Sequence, residues 1–436
     1  MQDNNTFSRS LLSLACCTTL IAFHTTSQAS GFSIPELNVA GLAVSNALVA
    51  NHDMQAAIAY NPAAMSFHDG NSAALGIMLL SPDLSVNTGS GFVDSDANDT
   101  VAIPAVTAHA TLSETWSLGL AVNAPFGLET DWPAGTFIEA ATTDTSPIDG
   151  YPVDSAIPTK SKLEIVTISP SLSYKINDNI SLAGGLDIYD MREVIFNSAE
   201  NNGSPTTTNS AAELQGEGRG VGLNLALMVK QGAWTFGGSY HSETRIPVDG
   251  TAASSGTTIN VNAELNVPSR LQLGVRHQTT DKLGIEFDFT RTGWSSFDQL
   301  VVKHSQYGRE VLTSTNNWDD ANAYRLGATY DISQAIQLRA GYTFDETPQE
   351  DTFFSPRIPD SDRQLFSLGI GHTLNNGWTI DAAYMYVKFD DRTLNIDPSF
   401  THSAPYTDET NGTSAVNGTY ESSVHLLGLG VTKKFM

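Results

Sequence analysis

Alternation is what most constrains this chain. From Leu163 to Ile176 the even positions Val166, Ile168, Leu172, Tyr174 and Ile176 are apolar, while the odd positions Thr167, Ser169, Ser171, Ser173 and Lys175 are polar. Successive side chains of a strand point to opposite faces, so this stretch is a ribbon with one greasy and one wet face. The pattern returns at Leu283, Ile285, Phe287 and Phe289 against Glu286, Asp288 and Thr290, and again at Ile336, Leu338, Tyr342 and Phe344 against Gln337, Arg339, Thr343 and Asp345. A further copy sets Trp378, Ile380, Tyr384 and Tyr386 against Thr379 and Asp381. Beyond the leader described below, no segment offers the ~18 consecutive apolar residues of a membrane helix.

A secreted β-sandwich also alternates, and the turns decide between the two. Short turns at Ser113-Glu114, Asn177-Asp178, Gln231-Gly232, Thr280-Asp281, Ser333-Gln334 and Asn376-Gly377 interleave with long polar segments near 81–100, 125–162, 197–212, 249–263, 305–318, 347–361 and 393–420. Short turns on one side and long loops on the other mark an outer-membrane barrel, and the segments between them number about fourteen, an even count. The expected fold is therefore all-β: a transmembrane antiparallel barrel over 71–436 with both chain ends on the short-turn, periplasmic side. Composition agrees. With 22 Lys plus Arg against 47 Asp plus Glu and a net charge of -25, the chain would be repelled by nucleic-acid phosphates. Its 40% hydrophobic content excludes disorder.

Two segments lie before the strands. Arg9, the apolar run Leu11 to Phe23 and the small-x-small site Ser27-Gln28-Ala29 predict an export signal over 1–29, which removes Cys16 and Cys17 and leaves no thiol for a disulfide or thiolate metal site. Cleavage before Cys16, as in a lipoprotein, would leave too short an apolar core. Residues 30–70 are rich in small side chains and read as a partly helical hatch filling the lumen, with a short helix from Asp53, as its cap, to Tyr60, stopped by Asn61-Pro62.

Six stretches stand in order along the chain: YNPAAMSF (60–67), NAPFGLETDW (123–132), ISPSLSYKINDNISLAGGLDIY (168–189), GEGRGVGLNLAL (216–227), TGWSSFDQL (292–300) and LRAGYTFDETPQEDTFFSPRIPDSDRQLFSLGIGH (338–372). Together they resemble one family, the FadL-type outer-membrane transporters of long-chain fatty acids and hydrocarbons, TodX-like relatives included. The C-terminus departs from the pattern, because Phe435, the expected terminal aromatic for the assembly machinery, is followed by Met436. The resemblance implies passive, ATP-independent uptake of long-chain fatty acids by a monomeric barrel in the outer membrane of a Gram-negative bacterium, amid outer-membrane lipid and lipopolysaccharide. No cofactor, metal or enzymatic activity is expected. Uptake of aromatic or alkane hydrocarbons is the alternative, and an adhesin or structural barrel the distant one.

Site residues follow from the resemblance and from residue chemistry. Asn61, Pro62 and Ala63 match the hatch motif and its gating role. Asn123, Pro125 and Gly127 mark a place in the third strand where pairing should fail, Pro125 lacking a donor and Gly127 packing weakly; in the family a kink there opens the wall sideways. Phe126, Leu128, Trp132, Phe353 and Phe354 are candidates for an outer apolar groove or an interfacial girdle. Arg192 is the expected pocket cation for a carboxylate, with Arg339 and Lys175 inward by parity. Arg357 and Arg363 are expected to pair with Asp360 and Asp362. Inward apolar residues Leu163, Ile165, Met385 and Val387 fit either a greasy lumen or packing against the hatch. Asp94 to Asp99 lacks the Gly and Glu of a calcium loop, and no nucleophile is placed beside His109, His277 or His372.

Overall fold

The computed structural model describes residues 31–133, 135–137, 157–200, 210–254, 257–396 and 416–435. The expected leader lies outside them.

Fourteen strands form the wall: β1 (Asn71–Asn87), β2 (Val101–Thr111), β3 (Trp116–Asp131), β4 (Ile157–Asn177), β5 (Ile180–Glu200), β6 (Ser210–Gln231), β7 (Trp234–His241), β8 (Arg270–Gln278), β9 (Leu283–Thr292), β10 (Ala321–Asp331), β11 (Ile336–Asp345), β12 (Arg363–Thr373), β13 (Trp378–Phe389) and β14 (Gly418–Phe435). Each is antiparallel to its sequence neighbours, and β14 closes the ring on β1 from Asn71↔Phe435 to Asn87↔Thr419. Closure leaves no free sheet edge, the condition for a sheet to cross hydrocarbon. Every one of the six expected short turns falls between wall strands. Gly232 and Gly377 serve two of them with φ of 61° and 79°, values that side-chain-bearing residues rarely adopt.

The opposite ends are more ordered than a loop reading implied. Thr244–Ser254 and Thr257–Val267 form a hairpin whose first strand pairs with upper β6, Gln299–His304 pairs with Glu310–Thr315, and Phe92–Asp94 pairs with β1. Polar residues in these stretches lie in strands that stand clear of lipid, where both faces tolerate polarity. Polarity alone did not distinguish such strands from loops.

The outward face is apolar, as alternation requires: Leu75, Ile77, Leu223, Leu225, Leu427 and Leu429 are exposed. Aromatic side chains border this band. Trp116 and Tyr174 approach to 4.7 Å between ring centroids at the short-turn end, and Tyr342 lies 5.3 Å from Phe366 toward the other.

Residues 31–70 occupy the lumen. They carry a helical turn, α1 (Val39–Leu42), and two 3-10 turns, Gln55–Ala59 and Pro62–Phe67. The expected Asp53 cap is not made. The first 3-10 turn follows Met54 with no side-chain cap, while Asp53 lies by Arg276 at 3.4 Å, an ion pair competing for the same carboxylate. Asn61 caps instead, its Oδ1 accepting from Ala63 N at 3.0 Å with Pro62 at the first position, where a missing N–H costs nothing. Its amide nitrogen donates to Val49 O at 2.7 Å and to wall carbonyl Leu227 O at 3.0 Å, so one side chain caps a turn and ties the segment to itself and to β6.

Two inward carboxylates complete the attachment. Val49 N donates to Asp288 Oδ2 at 3.0 Å and Ala50 N to Glu286 Oε1 at 2.7 Å. Such bonds to buried backbone donors contribute roughly 0.5–1.5 kcal/mol each. Close approach is possible because Gly237 and Gly341 face the segment: a Cβ at either would collide with the backbone of Val49 or Val44. Met385 and Val387 pack with Val39 and Leu42 of this segment. Leu163 and Ile165 instead join Phe32 and Phe126 in a second apolar cluster.

Candidate functional site

The wall is interrupted at β3. Strand β2 pairs with β3 only from Val106↔Val122 to Thr111↔Ser117, so its outer half, Val101–Ala105, pairs with β1 alone. On its other side β3 pairs with β4 up to Asn123↔Thr167 and resumes at Phe126↔Ile165, skipping Ala124 and Pro125. Pro125 has no N–H to give the ladder. The freed backbone is met from inside: Ile34 N donates to Pro125 O at 2.8 Å, and Gly127 N donates to Phe32 O at 3.1 Å. Residues 32–34 thus act as a strap along the edge that β3 exposes on leaving β2. Phe32 anchors this strap among Phe126, Trp294, Phe297 and Trp318, with ring centroids 4.6–5.9 Å away, and Gly31 N donates to Asp360 Oδ2 at 2.9 Å.

Behind the interruption lies a cavity of about 40 Å³. That holds a few waters and not a lipid, so the molecule is described with this space closed. Leu37, Ile58, Ala59, Pro62 and Met65 line it from the plug, and Pro125, Phe126 and Tyr189 from the wall. The remaining wall is polar. Asp187 accepts from Ser169 Oγ at 2.7 Å and Asn224 Nδ2 at 2.9 Å and binds His241 Nδ1 at 2.6 Å.

One cation borders the cavity, and it is Arg270, the first residue of β8. It forms no ion pair with any described residue, and its buried Nε has no hydrogen-bond partner. A guanidinium held beside apolar surface without a counter-ion is a ready partner for a planar anion. Strand parity shows it: in Arg270-Leu271-Gln272-Leu273 the polar members face inward, Gln272 buried and Leu271 and Leu273 exposed. Its alternation with Gln272 is the one signal in sequence, and no motif stands beside it to single it out.

Arg192 is corrected. Its side chain is 58% exposed, lies 3.7 Å from Glu164 and 3.8 Å from Asp190, and does not line the cavity. The pairing of β5 with β4 passes from Glu193↔Glu164 to Met191↔Ile165, leaving Arg192 as the bulged residue, turned off the inward face. Lys175 is diverted too, bonding Asp178 at 2.8 Å beside its turn. Arg339 is inward but engaged with Asp381 near the periplasmic end.

The outer-groove candidates divide. Trp132 and Phe354 are buried in a cluster with Phe137 and Tyr420, with Trp132 Nε1 donating to Pro356 O at 2.8 Å; they are packing residues, because the 346–362 loop carries Phe354 onto Trp132. Phe126 and Leu128 belong to the apolar cluster around Phe32, and Phe353 is half-buried. An apolar groove does exist, lined by Met191, Val194, Phe196, Leu214, Val248 and Leu265, between upper β5 and β6 and the 244–267 hairpin. Arg363 pairs chiefly with Asp345 at 2.9 Å, not with its sequence neighbour Asp362, and Asp360 accepts the Gly31 and Thr347 bonds. Arg357 donates to Ser161, Ser198 and the Asn197 carbonyl, fastening its loop to β4 and β5. Burial holds the Asp360 carboxyl up at about 6, with Arg363 opposing. In the 94–99 loop Ser95 bonds Asp131 N, and among described residues no cluster of acids and histidines is poised for a metal. His109 faces His68, and His277 stacks on Trp234.

Known proteins match this arrangement over nearly its whole length. The family model for outer membrane protein transport proteins (OMPP1/FadL/TodX) matches residues 20–435. The 47 kDa outer membrane protein of Pasteurella multocida is 24% identical over 89% of this chain and 93% of its own. Outer membrane protein P1 of Haemophilus influenzae is 23% identical over 83% and 86%. Among solved structures, a Pseudomonas aeruginosa FadL homologue superposes with TM-score 0.76 at 21% identity, covering 93% of this chain and all of that one. The Pseudomonas putida toluene transporter TodX gives 0.64 at 16%, covering 94% and 98%. The chain, a plugged fourteen-stranded barrel of the Gram-negative outer membrane, belongs to the OMPP1/FadL/TodX family of outer-membrane transport proteins.

Proposed function

We propose that this protein takes up long-chain fatty acids without ATP hydrolysis. The observation that carries the reading is Arg270, a cation that makes no ion pair with a described residue, at the edge of a cavity walled by apolar plug residues on one side and by a polar network around Asp187 on the other. A fatty acid has the two features the cavity complements. Its chain gains about 0.8 kcal/mol per buried CH₂, and its carboxylate matches the guanidinium fork. Neutral hydrocarbons, the cargo of the toluene transporter TodX, would leave Arg270 without a partner.

The route has three steps. Ligand collects in the outer apolar groove between upper β5, β6 and the 244–267 hairpin. It moves inward as the plug gives way, which the small cavity requires, and Asn61, Pro62 and Ala63 set how the plug yields. It leaves sideways between β2 and β3, where the outer half of the wall is unpaired and Asn123, Pro125 and Gly127 flank the break. Release into the membrane spares the chain a crossing through water.

The test is uptake of radiolabelled oleate by cells that lack their own long-chain acid importer and express this chain. Uptake at least about tenfold over the empty vector is expected; uptake of toluene or hexadecane with none of oleate would replace this reading by hydrocarbon transport.

A further inference from the structure

We propose that the same cavity reads a second oxygen on its cargo: the ligand class is a long-chain acid carrying a hydroxyl well along its chain, held by Thr167 and Asn123. The inference rests on the acid reading above and narrows it.

The two sides of the cavity differ in kind. The plug side is apolar, whereas the wall side presents Thr167, Ser169, Ser171, Asp187, Asn224 and His241. A plain alkyl chain gains nothing from such a wall. Most of these groups satisfy one another: Ser169, Asn224 and His241 converge on Asp187, and Ser171 Oγ bonds Asn224 Oδ1 at 3.2 Å. They form a self-contained network that asks nothing of a ligand.

Thr167 is outside that network. Only 3% exposed, its hydroxyl lines the cavity and has no hydrogen-bond partner. Buried polar groups of this kind are uncommon, and each calls for an explanation. Its cross-strand partner at the last regular pair before the break is Asn123, also buried and lining the cavity, whose side-chain amide makes no hydrogen bond to a described residue. Together they offer hydroxyl and amide donors and acceptors at one point, enough to hold a ligand hydroxyl as both donor and acceptor.

Position around the wall sets where on the ligand that oxygen falls. Thr167 is on β4 and Arg270 on β8, their backbones four inter-strand steps apart, on the order of 19 Å around the wall at the usual spacing, and both side chains reach inward from there into the one cavity. With the carboxylate at Arg270, the second oxygen therefore sits several carbons along the chain and not beside the acid. Sites built to hydrogen-bond a substrate hydroxyl discriminate strongly against the analogue lacking it, because the site's own groups are then left unpaired.

The test measures dissociation constants of stearate, 12-hydroxystearate and 2-hydroxystearate for the detergent-purified mature protein and for Thr167→Val, Thr167→Ser and Asn123→Leu. The wild type is expected to favour 12-hydroxystearate over stearate by about tenfold or more, with no such preference for the 2-hydroxy acid. Thr167→Val and Asn123→Leu should each bring the ratio close to one, and Thr167→Ser should retain it. A wild-type ratio near one, or one favouring stearate, overturns the inference whatever the variants do, and leaves fatty-acid uptake standing. A preference that survives both Thr167→Val and Asn123→Leu overturns the assignment to this pair. Failure of the wild type to bind any of the three acids overturns the acid reading itself.

Discussion

Arg192 and Arg270 differ in parity. The inward side chains of β5 before its bulge are Asp187, Tyr189 and Met191, so Arg192 falls on the outer face near Glu164 and Asp190, while Arg270 shares the inward parity of Gln272 in β8. Bulges insert one residue and reverse every parity argument beyond them, and sequence does not announce them. Parity was sound for Ser171, Ser173 and Thr167, which are buried, and for Ile168, Leu172 and Tyr174, which face lipid. Asp360 supplies a residue-scale prediction in pH. Burial raises its folded-state pKa from 3.8 to about 6, so the folded form holds its proton over a range where the unfolded chain has released it. The stability it contributes is therefore present below pH 4 and lost as pH rises through 6, by about 3 kcal/mol at 1.36 kcal/mol per unit. Urea titrations followed by the fluorescence of Trp294 and Trp318, which pack around Gly31 and Phe32, should show that loss in the wild type and not in Asp360→Asn. Equal slopes with pH in both proteins would contradict it.

At the scale of elements, the plug is held at Glu286 and Asp288 and the wall is open at β3. Removing both acids leaves the Val49 and Ala50 N–H groups unanswered, a loss of roughly 2–6 kcal/mol for two buried donors left unsatisfied. The Glu286→Ala/Asp288→Ala protein in a planar bilayer should therefore pass ions steadily, with the wild type showing no stable conductance; a variant as tight as the wild type would show that packing alone holds the plug. The gap between β2 and β3 makes a second prediction. Continuing their register from Val106↔Val122 would set Ala105 opposite Asn123. An Ala105→Cys/Asn123→Cys disulfide, in a chain whose two cysteines, Cys16 and Cys17, both lie in the expected leader, should abolish oleate uptake when oxidised and restore it on reduction. Undiminished uptake with the bridge formed would refute sideways release. Pro125 signalled this interruption in sequence, since a residue without an N–H cannot sit in a continuous ladder. The strap that covers it could not be read, because Phe32 and Ile34 meet β3 through backbone groups that every residue shares.

For the whole molecule, the wall and the existence of a plug were legible, and the plug's path was not. Fourteen strands, their turns and their lipid-facing side follow from a period of two and from short polar pairs at the tight ends, local properties that any window of sequence displays. The path of residues 31–70 depends on long-range contacts such as Asn61 with Leu227 O and Val49 with Asp288, which no local period encodes. The outer hairpins were read as loops for a related reason: strands above the membrane lose the greasy face that marks those within it. Trp132 and Phe354, outer-groove or girdle candidates by sequence, are buried because the 346–362 loop packs Phe354 and the Pro356 carbonyl onto Trp132.

The central claim is that an acid is bound and that Arg270 is its cation. The most direct measurement is the affinity of radiolabelled oleate, and separately of hexadecane, for the detergent-purified mature protein and for Arg270→Met and Arg192→Met. Loss of a charged hydrogen-bonding pair worth roughly 1.5–3 kcal/mol predicts that Arg270→Met weakens oleate binding about tenfold to a hundredfold while hexadecane binding and the Arg192→Met protein stay near wild type. Oleate binding indifferent to Arg270→Met, or hexadecane bound more tightly than oleate by the wild type, would contradict the account.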